Sequence, residues 1–112
     1  MMMRIADYIM QRLAQAKVSH VFQVTGRGSL FLSDALAKNV ELQPISLHHE
    51  QSCAYAAVAY AEKSRGLGAC LVSTGCASTN AITGVVGSWI ESIPLIIISG
   101  QVKTENLTKK KR

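Results

Sequence analysis

The chain has 112 residues, of which 48% are hydrophobic and 17% charged, a balance that excludes a disordered chain and describes one globular domain or part of one. Of its five net positive charges, four lie in Lys109-Lys110-Lys111-Arg112, and no basic stripe with interleaved aromatics supports nucleic-acid binding. The longest strongly apolar run, Leu95 to Ile98, is far too short to span a bilayer, so no membrane partner is expected.

Ile5, Tyr8, Ile9, Leu13 and Ala16 recur at helical spacing and predict an amphipathic helix over about residues 4–17. His20-Val21-Phe22-Gln23-Val24 reads as a strand, broken by the turn Thr25-Gly26-Arg27-Gly28. Ser29 is placed to cap a helix running through Leu30, Leu32, Leu36 and Ala37 to near Asn39. Pro44-Ile45-Ser46-Leu47 reads as the second strand, and Glu50 to about Ser64 as the next helix. The small residues of that helix, Cys53 to Ala61, predict that it is largely buried. Arg65-Gly66-Leu67-Gly68 turns into a third strand, Ala69-Cys70-Leu71-Val72-Ser73. Thr74 to Ser78 reads as a loop, and Thr79 to about Ile90 as a helix. Ser92-Ile93-Pro94 then introduces a fourth strand, Leu95 to Ser99, and after Gln101 the pattern stops.

Strand-helix alternation with apolar, non-alternating strands predicts an α/β fold, an open parallel sheet with helices on both faces. Right-handed crossovers place every strand-to-helix loop on one edge. Those loops are Gly26 to Ser29, His48 to Gln51, Gly75 to Asn80 and Gly100 to Lys103. Glu50 stands at that edge, where open α/β sheets bind ligands and partial desolvation raises a carboxyl pKa. The plainer alternative is a first-turn Glu favoured by the helix dipole.

Three cysteines, Cys53, Cys70 and Cys76, show no CxxC spacing. Met1-Met2-Met3-Arg4 leads into the first helix without the apolar region of a secretory signal, so the expected compartment is a reducing cytoplasm. Asn106-Leu107-Thr108 then matches a glycosylation sequon by chance. His48 and His49 are neighbours on extended chain and point opposite ways, so no metal site is expected. Gly26-Arg27-Gly28 after a strand invites a dinucleotide reading, but Phe31 occupies the third glycine's place and would obstruct helix-strand packing.

Four ordered segments carry a more specific resemblance: Phe22 through Asp34, Leu47-His48-His49-Glu50-Gln51, Leu71 through Gly84, and Ile93 through Val102. Together they resemble the pyrimidine-binding domain of thiamine diphosphate-dependent enzymes, with acetolactate synthase large-subunit-like proteins as the closest group. The resemblance implies that Glu50 contacts N1′ of the cofactor's aminopyrimidine and shares a proton there. That helps the cofactor lose its thiazolium C2 proton and attack a 2-keto acid, for decarboxylation and carboligation. It also implies that Thr74, Gly75, Thr79 and Asn80 line the pyrimidine, and that Gly26, Gly28 and Gln101 lie on the substrate side. A flavin is possible in this group but is not indicated here.

Departures from the family pattern accompany the match. Gly75-Cys76-Ala77-Ser78 replaces a Gly-Pro-Gly-Gly or Gly-Pro-Gly-Ala loop, placing a methyl at Ala77 where positive φ or close approach is expected. Thr25 replaces a usual Pro, Phe31 a frequent His, and Val58 and Glu62 a common acid and Arg. The family holds the diphosphate and Mg²⁺ through a Gly-Asp-Gly…Asn-Asn pattern that is absent from these 112 residues. The expected organisation is a pyrimidine-binding domain over residues 1–102, C-terminally truncated, followed by a polar, basic tail over 103–112. Such a chain is expected to be inactive alone, to meet the diphosphate-binding domain of its own or a neighbouring subunit, and to oligomerise. The alternative function is a non-catalytic interaction or regulatory module of the same fold.

Overall fold

The computed structural model describes residues 2–107, so the basic run Lys109 to Arg112 and the last residue of the Asn106-Leu107-Thr108 match lie outside the described residues. In chain order the elements are α1 (Ile5–Gln15), β1 (His20–Gln23), a 3-10 turn (Arg27–Ser29), α2 (Leu30–Lys38) and β2 (Gln43–Ser46). These are followed by α3 (Glu50–Ser64), β3 (Gly68–Val72), α4 (Cys76–Asn80), α5 (Ile82–Ile90), β4 (Leu95–Ser99) and a short 3-10 turn (Thr104–Asn106). The strands form one sheet in the order β2-β1-β3-β4. All pairs are parallel, with Phe22 opposite both Ile45 and Cys70, and Cys70 opposite Ile97. The expected architecture is therefore present.

The central strand β3 is buried along its whole length, and its side chains alternate between two cores. Ala69 and Leu71 join Met10, Leu13, Val21 and Leu36 beneath α1 and α2. Cys70 and Val72 join Cys53, Ala54, Ala57 and Ala81 beneath α3 and α5. A sheet covered on both faces needs apolar residues at successive positions, which explains why the strands read as continuous apolar runs. Because β2 and β3 flank β1 on opposite sides, the loops after β1 and β3 diverge to opposite faces. Such a switch point opens a crevice at the carboxyl edge of the sheet.

Several local expectations are corrected. In α1 the stripe facing the sheet is Ala6, Met10 and Leu13, whereas Ile5 and Tyr8 are exposed. The helix ends at Gln15, and Lys17 adopts a left-handed φ of 65° that closes it before the strand. Only one stripe of α3 is buried, Cys53, Ala54, Ala57 and Ala61, and Tyr55 faces outward. Small residues there serve close approach. A side chain at Gly68 would strike the Ala57 carbonyl, and one at Gly84 would strike Ala54, so β3 and α5 both press on this helix. Ser29 does not cap α2; it lies buried in the 3-10 turn and donates its hydroxyl to the Gly26 carbonyl at 3.2 Å. The predicted helix from Thr79 begins earlier, at Cys76, and Ala81 divides it into α4 and α5. No helix among the described residues is long and apolar enough to cross a membrane.

Candidate functional site

Glu50 is the first residue of α3, at the carboxyl edge of β2. His49 caps this helix, its Nδ1 accepting from the Gln51 amide at 3.1 Å. That cap fixes the turn and holds the Glu50 side chain at the edge of the sheet. Across the edge, α4 brings in Asn80, whose Nδ2 donates to Glu50 Oε2 at 3.1 Å. Two residues 30 positions apart in the chain are thereby joined.

The same geometry corrects the expected electrostatics. The Asn80 amide, with the Glu50 backbone N–H second, holds the Glu50 carboxyl below the usual glutamate range. Partial burial pushes the other way and is outweighed, and nearby His49 adds to the lowering. A carboxylate offered donors at an open edge stays ionised.

The β3–α4 turn supplies the second part of the site. Gly75 takes a φ of +54° at the start of α4, a left-handed conformation suited to glycine. Nothing lies within 4 Å of where its Cβ would stand, so the backbone there faces open space. The positive φ thus falls at Gly75, and Ala77 sits inside α4 as ordinary helix. Its methyl therefore does not strain the turn. Thr79 is exposed and returns its hydroxyl to the Cys76 carbonyl at 2.9 Å, while Gln51 Nε2 donates to Thr83 Oγ1 at 3.3 Å.

The three glycines at the remaining loops are packed. A Cβ at Gly26 would meet the Ser73 side chain, one at Gly28 the Thr74 methyl, and one at Gly100 the Gly28 carbonyl. The Gln101 amide donates to that carbonyl at 3.2 Å. Gln101 itself is exposed, and its Oε1 accepts from the Val102 amide at 2.9 Å. Gly26, Gly28 and Gln101 therefore form one interlocked corner where β1, β3 and β4 end. Phe31 does not obstruct this packing, because it points outward and is exposed. The glycines back onto side chains of β3's exit, an arrangement unlike an open dinucleotide cradle.

Sequence reasoning missed the serines at this corner. The Ser78 and Ser99 hydroxyls meet at 2.5 Å, and both reach the Ser73 carbonyl, at 3.3 and 2.9 Å. The available signal was a serine directly after an apolar run, at both Val72-Ser73 and Ile98-Ser99. Cys53 and Cys70 are buried, whereas Cys76 is exposed. The adjacent Cys53 thiol and burial push the Cys70 thiol up, so it stays protonated as a packing residue.

An aminopyrimidine-bearing cofactor fits these residues. Glu50 Oε1 carries none of the side-chain hydrogen bonds found among the described residues, so it can accept from a protonated ring nitrogen. Gly75 leaves room for a flat ring to approach the backbone.

Comparison with known proteins agrees with this geometry. The family described as "Thiamine pyrophosphate enzyme, N-terminal TPP binding domain" matches residues 3–111. A probable pyruvate decarboxylase of Schizosaccharomyces pombe is 38% identical over 103 residues, covering 92% of this chain and 18% of the relative. The acetolactate synthase large subunit of Buchnera aphidicola is 35% identical over 97 residues, covering 87% of this chain and 17% of the relative. That of Haemophilus influenzae is 36% identical over the same length, with the same coverage. The chain thus spans less than a fifth of the length of these curated relatives. With a matching family profile over nearly all its length and a parallel sheet that presents the matched loops on one edge, the chain belongs to the N-terminal TPP-binding domain family of thiamine pyrophosphate enzymes.

Proposed function

We propose that this chain is the aminopyrimidine-binding part of an acetolactate synthase- or pyruvate decarboxylase-like enzyme acting on a 2-keto acid. The carrying observation is the carboxylate of Glu50, held by Asn80 at the sheet edge through Oε2, with no side-chain hydrogen bond on Oε1 among the described residues. When bound, the cofactor supplies the electron sink for decarboxylation and carboligation. Glu50 accepts a hydrogen bond from the aminopyrimidine at N1′ and shares its proton. Asn80 orients Glu50, and Thr74, Gly75 and Thr79 form the wall against which the ring lies. The interlocked corner of Gly26, Gly28 and Gln101 borders the substrate side. Covering this edge removes water from Glu50, which raises its pKa toward the range a proton relay needs.

The diphosphate end and Mg²⁺ are assigned to a separate domain of the same or a neighbouring subunit, and the 112-residue chain is accordingly without turnover on its own. An unpartnered apolar face supports such a partner: Ile82, Val85, Val86, Trp89 and Ile90 of α5 are all exposed. The test is hydrogen–deuterium exchange at thiazolium C2 with the chain, a diphosphate-binding domain from an acetolactate synthase large subunit, thiamine diphosphate and Mg²⁺. Glu50→Gln is expected to slow exchange by about 100-fold or more, with cofactor affinity changed by much less. An exchange rate equal to wild type removes Glu50 from the proposed role.

A further inference from the structure

The short helix that carries Asn80 has little to hold it in place. None of the residues of α4 is buried. It leaves β3 through Gly75, which has nothing within 4 Å of where its Cβ would stand. Burial therefore does not fix the position of α4 over the sheet edge. Its carboxyl end is anchored, because the next residue, Ala81, lies in the same core as Cys53, Ala54 and Ala57.

The amino-terminal part is held by hydroxyl groups. Ser78 Oγ lies 2.5 Å from Ser99 Oγ, at the end of β4, and 3.3 Å from the Ser73 carbonyl, directly after β3. Ser99 Oγ lies 2.9 Å from both the Ser73 and the Gly100 carbonyls. Each hydroxyl has one proton to donate. Both are satisfied when Ser78 donates to Ser99 Oγ and Ser99 donates to a carbonyl. Thr79 returns its hydroxyl to Cys76 and ties α4 only to itself. Among the described residues, Ser78 and Asn80 are thus the α4 side chains that hydrogen-bond beyond the helix and its turn.

This hydroxyl is a departure from the family pattern. Cys76 stands where that pattern has Pro, and Ser78 where it has Gly or Ala. Losing the proline ring frees φ at Cys76, and the Ser78 hydroxyl restrains the turn from outside. The restraint matters because the Asn80 bond to Glu50 is 3.1 Å long, near the upper end of the usual range of about 2.7–3.2 Å. A small outward shift of α4 would weaken it.

We propose that Ser78 and Ser99 are positioning residues: their hydroxyl pair pins α4 across the ends of β3 and β4 and so keeps the Asn80 amide on Glu50. The inference deepens the Glu50 reading and rests on it for its meaning in catalysis.

The test follows the Glu50 carboxyl ¹³C shift across a pH series in the isotope-labelled 112-residue chain without thiamine diphosphate. Ser78→Ala is expected to raise the midpoint toward that of Asn80→Ala. Ser99→Ala should raise it less, since Ser78 keeps the Ser73 carbonyl. Ser78→Thr retains a hydroxyl and should restore the wild-type midpoint. Adding Ser78→Ala to Asn80→Ala should cause no further rise, because the serine acts through the amide. The titratable groups that interact with Glu50, His49, Cys53 and Cys70, are the same in every variant. Ser99 is exposed, so its variant should keep the wild-type amide spectrum in the sheet. The proposal is overturned by unchanged midpoints in Ser78→Ala and Ser99→Ala, by Ser78→Thr behaving as Ser78→Ala, or by a further rise in the double variant. Unchanged midpoints beside slowed C2 exchange in Glu50→Gln would remove the serines and keep the Glu50 reading. Raised midpoints beside wild-type exchange in Glu50→Gln would keep the serine restraint and remove that reading.

Discussion

Glu50 is ionised in this chain because an amide from Asn80 and its own backbone N–H donate to it, and the nearby His49 adds a smaller coulombic lowering. Removing the largest of these should show. In Asn80→Ala the Glu50 carboxyl is expected to titrate at higher pH than in wild type, measured by the carboxyl ¹³C shift across a pH series. An unchanged midpoint would mean that Asn80 does not set the charge. The sign for stability follows, because the folded pKa lies below the unfolded value of about 4.3. The contribution of this bond is complete above that value and is lost as pH falls through the lower, folded one. The position of Glu50 was legible from the strand-to-helix boundary. Its charge was not, because Asn80 stands 30 residues away and only folding brings an amide donor to face it.

At the level of elements, the site is built by loops that press on one another. Gly28 fits only because its α-carbon backs onto the Thr74 methyl, and Gly100 only because it backs onto the Gly28 carbonyl. Gly28→Ala should destabilise the fold by about 1–3 kcal/mol, as overpacking does, read by chemical denaturation. Adding Thr74→Ser removes the obstructing methyl and should recover most of that loss. Gly100→Ala should gain nothing from Thr74→Ser, since its obstacle is backbone; equal rescue of both would refute the interlock. Strand and helix identities were readable because apolar runs and helical periodicity are local. The boundaries at Ser29 and Cys76 were not. A 3-10 turn absorbs Ser29, and the left-handed Gly75 starts α4 three residues before the periodic pattern indicates.

For the whole molecule, the consequence of the fold is an asymmetry between its layers. The α1 and α2 face and the sheet-facing stripe of α3 are packed, while α5 leaves Val86 half exposed and Trp89 85% exposed. Such a face favours association. The double variant Val86→Ser with Trp89→Ser is expected to shift the chain toward monomer in sedimentation velocity without loss of helical circular dichroism. A distribution identical to wild type would place any self-association elsewhere. The sequence by itself determined the α/β class, the order of elements, the edge that carries the loops and the family, because each depends on local pattern or on ordered short segments. Tertiary structure alone decided the charge on Glu50 and the packing role of Gly26, Gly28 and Gly100. Each of these depends on which distant side chain or carbonyl faces the residue across the switch between β1 and β3, and no local period in the sequence encodes that distance.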